Sequence, residues 1–122
     1  EHLPYTLTCG DIALILMKPG IEGLCVPCKF YTALASGAAI VAAVPEHTEI
    51  ADLTQRYRLG LRINPERPEE MAEAILKLSK DQNLLRLSQR NARQCFEQHF
   101  TKDRAIQEYL ALFQSLPCES YR

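Results

Sequence analysis

The residues most able to do chemistry lie in one loop, which follows the first apolar run of the chain. Residues 18–29 supply one carboxylate, two thiols and two ammonium groups. Gly20 and Gly23 permit backbone conformations that bring N–H groups close to a bound anion. Glu22 could hydrogen-bond the hydroxyl groups of a sugar, and Lys29 could pair with a phosphate. The segment is therefore a candidate binding site, although the same residues also suit a solvated surface loop.

The loop also contains a CxxC pair, Cys25 and Cys28. Thioredoxin-like proteins place such a pair where a strand meets the N-terminus of a helix, so a thiol-redox module is one alternative function. There is no second CxxC, and the three histidines do not cluster with the pair, so the sequence predicts no metal site. It also lacks the HExxH and paired-carboxylate patterns of metalloproteases and classical hydrolases.

Two apolar runs flank the loop and predict the strands that position it. Residues 12–17 and 39–44 do not alternate, so each is predicted as a strand buried on both faces, typical of central parallel strands. A helix is predicted over 27–36, with Pro27 in its first turn and Gly37 just beyond its end. Strand, helix and strand form a right-handed βαβ unit. The loop then lies at the carboxyl end of a strand, where open α/β sheets bind ligands.

A second group of polar residues follows the second predicted strand. Glu46, His47 and Glu49 would rim the same cleft, because the carboxyl ends of parallel strands meet at one edge of a sheet. A capping or surface role is the simpler interpretation of His47.

The rest of the chain predicts a third strand and a helical tail. A weaker helix over 47–57 precedes an alternating, edge-type strand at 60–64. Three helices then follow at 68–80, 81–98 and 101–116, the last capped by Thr101. The residues expected to face inward on the first two are Met71, Ala74, Ile75 and Leu78, then Leu84, Leu87 and Cys95. We predict an α/β fold with a partial Rossmann-like parallel sheet, as a single domain over residues 1–122. Because the first apolar strand needs neighbours, we expect further N-terminal strands, supplied by a preceding segment or a partner.

Composition narrows the class of protein. The 122 residues include 14 Lys and Arg against 15 Asp and Glu, a formal net charge of −1. This balance argues against nucleic-acid binding by the whole domain. No window approaches the roughly 18 consecutive apolar residues of a membrane span, and no signal-peptide pattern is present. We expect a cytoplasmic protein with its five cysteines reduced, or one held peripherally at the inner face of the membrane.

The order and spacing of several segments resemble the carboxyl-terminal domain of the family-four (group 1) glycosyltransferases. These segments are residues 3–4, 9–14, 22–23, 27–42, 59–65, 68–75, 91–93 and 100–101, so the resemblance covers nearly the whole chain. Members of that family have the GT-B fold, in which two Rossmann-like domains enclose the active site. The resemblance implies that an N-terminal Rossmann-like domain lies outside this chain.

The resemblance further implies a reaction. The family transfers a sugar from a nucleotide-sugar donor, UDP- or GDP-linked, usually with retention of configuration and without an essential metal or other cofactor. The transferred sugar would be accepted by a glycan or by a lipid-linked molecule, as in polysaccharide biosynthesis. Family members hold the donor with two glutamates separated by seven residues. Glu22 matches the first by context, whereas Thr32 stands in place of the second, ten positions later instead of eight.

The resemblance also implies a role for each candidate residue. Glu22 would be the catalytic residue and would orient the sugar hydroxyls. The donor-binding residues would be Gly23, Leu24, Cys25, Cys28, Lys29 and Thr32, with the diphosphate or sugar held by backbone N–H groups. This chain alone would be inactive, because the acceptor site belongs to the other domain. An alternative of another class is a non-catalytic α/β interaction domain that forms a homodimer through its open sheet edge.

Overall fold

A computed structural model of the protein describes residues 2–116. Cys118, one of the five cysteines expected to be reduced, lies outside the described residues. The elements are α1 (Leu3–Thr8), β1 (Ile12–Leu16), α2 (Cys28–Ser36), β2 (Ala39–Ala43), α3 (Glu49–Arg56), β3 (Gly60–Ile63), α4 (Pro68–Lys80), α5 (Gln82–His99) and α6 (Lys102–Ser115). The predicted α/β class is confirmed, and every predicted element has observed bounds within two residues of those expected.

The three strands form one parallel sheet in the order β1-β2-β3. Ile12 pairs with Ala39, and Ile40 pairs with Gly60. All five residues of the central strand β2 are buried. Its side chains alternate between two cores, because successive residues of a strand point to opposite faces. One face packs against α2, α3 and α5, and the other packs mainly against α4.

The prediction that the first strand is buried on both faces is wrong. Ile15 is buried, but Leu14 is 41% exposed and Leu16 is 61% exposed. The cause is the layering of the helices, since α4 packs against β2 and β3 on the face to which Leu14 and Leu16 point. β1 is therefore an edge strand with one apolar face open to solvent.

Two glycines have conformations that the fold requires. Gly37 ends α2 with a φ of 71°, and its N–H bonds the carbonyls of Ala33 and Leu34, which confirms the predicted helix end. Gly60 begins β3 with a φ of 153°, and a Cβ there would lie only 1.9 Å from the carbonyl oxygen of Ile40. A side chain at residue 60 would therefore push β3 away from β2.

The helices differ from expectation in detail. The short helix α1 was not predicted from the sequence, and it packs against α2. Ala74 and Leu78 of α4 are buried as expected. On α5, Cys95 is buried as predicted, but Leu87 is exposed and Leu85 takes the inward position instead. Leu84, also expected to face inward, is partly buried against the core on the α4 side.

Helix α6 carries an apolar stripe that stays uncovered. Its N-cap Thr101 accepts a hydrogen bond from the N–H of Arg104, as predicted for a capping threonine. None of its residues is buried, and the exposed apolar side chains are Ile106, Tyr109, Leu110, Leu112 and Phe113, followed by Leu116. Among the described helices, none has the length and apolar character needed to cross a membrane.

Candidate functional site

A cavity of about 230 Å³ lies at the carboxyl ends of β1 and β2. We call it the Glu22 cavity. One wall comes from residues between β1 and α2, and the other from the start of α3. Its lining residues are Met17, Glu22, Gly23, Cys25, Val26, His47, Thr48, Glu49 and Ile50. This is the edge of an open α/β sheet at which ligands bind, as the sequence predicts.

The β1–α2 loop, residues 17–27, is shaped by its glycines. Gly20 and Gly23 have φ values of 89° and 78°, which favour glycine. The N–H of Leu24 bonds the carbonyl of Ile21 at 3.1 Å and closes a turn around Glu22. Ile21 packs against the core on the α2 side of the sheet. The turn therefore presents Glu22 and Gly23 to the cavity from an anchored position.

The Glu22 carboxylate is held by backbone groups of its own loop. Its Oε2 accepts a hydrogen bond from the N–H of Gly20 at 2.8 Å. Backbone hydrogen bonds from Glu22 itself and from Gly20 hold the pKa of this carboxyl below its ordinary value. Glu22 is therefore an oriented anion at neutral pH, able to accept hydrogen bonds from a ligand.

The opposite wall depends on the N-cap of α3. The hydroxyl oxygen of Thr48 accepts a hydrogen bond from the N–H of Ala51 at 3.2 Å and donates one to the carbonyl of Pro45 at 2.8 Å. The cap fixes the two flanking residues, His47 and Glu49, at the cavity. These two positions confirm the expectation that they rim the cleft.

Glu46 lies elsewhere. It lines a different hollow, between α3 and β3, together with Arg62 and Gln55. Sequence spacing alone places all three polar residues after β2 together. Glu46 and His47 are adjacent in the sequence but line different hollows.

The negative charge of Glu49 reaches across to α2. Burial raises the pKa of the Tyr31 hydroxyl, and the charges of Glu49 and then Cys28 raise this pKa further. Tyr31 packs edge-on against Phe30 and Phe100, which hold its ring in place. The negative charge of Glu49 therefore acts on a side chain in the first half of α2.

Several predicted donor-binding residues do not line the Glu22 cavity. Leu24 is 84% exposed. Cys28 and Lys29 are exposed residues in the first turn of α2, next to the cavity but outside its lining. Of the seven predicted site residues, the structure brings Glu22, Gly23 and Cys25 together.

Thr32 faces a different part of the surface. Its hydroxyl donates to the carbonyl of Lys29 at 3.0 Å, and it lines a groove between α1 and α2 that includes Leu7 and Arg93. Phe30, Ala33 and Leu34 occupy the inward side of α2, so helical geometry directs Thr32 elsewhere. The structure does not bring Thr32 to Glu22.

The CxxC pair lies where the loop meets the first residue of α2. Cys25 and Cys28 are free and exposed, but only Cys28 belongs to α2. Residues 25–27 belong to no helix or strand, and Pro27 is extended with φ −60° and ψ 111°. The thiol-redox function stays a prediction.

Over residues 2–116, no group of three His, Cys, Asp or Glu side chains is placed to hold a metal ion. Comparison with protein families, curated proteins and solved structures finds no match to this chain.

Proposed function

We propose that this chain is the donor-binding part of a GT-B glycosyltransferase that transfers a hexosyl group from a UDP- or GDP-linked sugar. The acceptor would be a glycan or lipid-linked acceptor. The observation that carries the proposal is the Glu22 cavity, where an oriented carboxylate and a glycine turn meet at the carboxyl ends of two parallel strands. A cytoplasmic location, peripheral at the inner face of the membrane, would suit a lipid-linked acceptor.

The size of the cavity fits part of a nucleotide sugar. Pockets that enclose drug-sized ligands have volumes of about 300–1,000 Å³, and this one has about 230 Å³. It suits a single sugar ring, while the nucleotide would extend over the open surface towards the N-terminal Rossmann-like domain. That second domain would complete the cleft and supply the acceptor site.

The loop backbone would hold the diphosphate. N–H groups near Gly23 and Cys25 and at the start of α2 present partial positive charge, which suits an anion. The N–H of Leu24 is used within the turn, towards the carbonyl of Ile21. Lys29, in the first turn of α2, adds a charge nearby. Stabilising the departing diphosphate is the main electrostatic task of such a transfer.

The orientation of Thr32 has a consequence for the nucleotide. Because Thr32 faces the groove between α1 and α2, the ribose hydroxyls would have to be held by other groups. The Glu22 cavity thus supports the sugar part of donor recognition more directly than the ribose part.

Calorimetric titration tests the proposal. UDP, GDP, UDP-glucose and GDP-mannose are titrated into the chain and into Glu22→Ala. We expect one nucleotide series to bind, and the sugar to add affinity that Glu22→Ala removes. Absence of binding by both nucleotides and both nucleotide sugars would overturn the proposal.

A second candidate function rests on a different observation, the open apolar face of β1. Leu14 and Leu16 lie exposed on an edge strand, and such edges favour pairing with another chain. The chain would then be a non-catalytic interaction domain that forms a homodimer through β1. Self-association without nucleotide binding would favour this candidate.

A further inference from the structure

The charges that line the Glu22 cavity determine which sugars it can hold. We infer that the cavity selects neutral hexosyl groups over anionic ones such as uronic acids, and that Glu49 is the residue that determines this selectivity. The inference rests on the proposed function, because it concerns the sugar part of the same donor.

The lining of the cavity is acidic. Glu22 and Glu49 contribute carboxylates, and no Lys or Arg side chain lines it among the described residues. Backbone hydrogen bonds keep the pKa of Glu22 low, so its charge is present at neutral pH. Burial is the main cause of the raised pKa of Tyr31, and the charge of Glu49 raises it further. A sugar carboxylate in this cavity would therefore meet two like charges.

The other polar side chains that line the cavity do not neutralise the negative charge of a sugar carboxylate. Thr48 uses its hydroxyl within the cap, towards Ala51 and Pro45. In the described chain, His47 is the one lining side chain that can become positive. Lys29 lies outside the lining. A neutral hexose, in contrast, presents several hydroxyl donors, and carboxylates accept hydrogen bonds from such groups.

Glu49 is a better candidate than Glu22 for tuning selectivity. The Glu22 carboxylate is tied to the backbone of Gly20, so changing it also changes the loop. Glu49 is exposed in the first turn of α3, and the cap is made by the neighbouring Thr48. Replacement by Gln therefore removes one charge and keeps the shape of the wall.

The test compares the dissociation constants of UDP, UDP-glucose and UDP-glucuronate at low salt, where interactions between charges are screened least. GDP, GDP-mannose and GDP-mannuronate replace them if the GDP series binds. We expect the neutral sugar to bind at least tenfold more tightly than the uronate, and Glu49→Gln to reduce this ratio to threefold or less. Asp52→Asn is the matched control, because it makes the same charge change on α3 outside the cavity and should leave the ratio unchanged.

The outcomes separate the inference from the proposed function. Equal affinities for the neutral sugar and the uronate, with the nucleotide itself bound, would overturn the selectivity and leave donor binding in place. An unchanged ratio in Glu49→Gln would overturn the role of Glu49. Failure of every nucleotide and nucleotide sugar to bind would overturn the proposed function, and the inference with it. Amide NMR spectra establish that both variants fold if their signals from residues outside α3 match those of the unmodified chain.

Discussion

Glu22 is the residue on which the proposed chemistry depends. Its carboxylate is oriented by the N–H of Gly20 and lines the cavity with Gly23 and Cys25. We predict that Glu22→Ala, in this chain joined to the N-terminal domain that the proposed function requires, lowers kcat/KM for sugar transfer by at least tenfold, because the sugar loses an oriented acceptor. Glu66→Ala, which removes an exposed carboxylate outside the cavity, should leave turnover unchanged. Unaltered transfer by Glu22→Ala would remove this residue from the mechanism.

The lowered pKa of Glu22 predicts a pH dependence in its loop. The folded-state pKa lies below the ordinary glutamate value of 4.5, so the interaction with Gly20 is present above 4.5 and is lost as pH falls through the lower folded value. The amide signal of Gly20 in NMR spectra should therefore titrate with a midpoint below 4.5. Glu22→Gln should abolish this titration. A midpoint at or above 4.5 would contradict the hydrogen bond.

Two threonine caps allow the elements to be compared. Thr48 caps α3, whose residues Ile50 and Leu53 are buried, whereas Thr101 caps α6, which buries none of its residues. We predict that Thr48→Ala lowers the free energy of unfolding by about 1 kcal/mol. Thr101→Ala should change it much less, because fraying of α6 exposes little additional surface. Urea unfolding measures both, and equal losses would contradict the view that α6 is uncoupled from the core.

At the scale of elements, the sequence predicts what depends on local pattern. An apolar run predicts the buried strand β2. Gly37 predicts the end of α2, and helical spacing predicts the apolar face of α4 that packs in the core. The exposure of β1 does not, because it depends on which strands α4 covers. An apolar run indicates that a strand can be buried on both faces. Whether both faces are buried depends on how the helices pack against the sheet.

The sequence also predicts only part of the candidate site. The position of the β1–α2 loop follows from strand order, so Glu22, Gly23 and Cys25 could be placed together. The outward direction of Thr32 depends on the rotation of α2 about its axis, which a resemblance in sequence does not fix. Glu49 could be placed at the rim, but its effect on the pKa of Tyr31 depends on the distance between the two side chains in the folded chain, which sequence spacing does not give.

At the scale of the whole molecule, the open face of β1 predicts self-association. Leu14 and Leu16 form an exposed apolar edge, and a charge placed on an edge strand opposes pairing. We predict that the chain associates with increasing concentration in sedimentation velocity, and that Leu16→Lys weakens this association. Leu76→Lys, at an exposed apolar position on α4, should have little effect. Equal effects of the two substitutions would contradict pairing through β1.

The central claim is that a nucleotide sugar binds in the Glu22 cavity, and mapping the bound ligand on the chain tests it most directly. Amide signals are followed by NMR while UDP-glucose or GDP-mannose is added. We predict that the perturbed amides cluster at residues 21–25 and 47–50, on the two walls of the cavity. Perturbations confined to β1 or α6, or none at saturating ligand, would contradict the assignment of this cavity as a donor site.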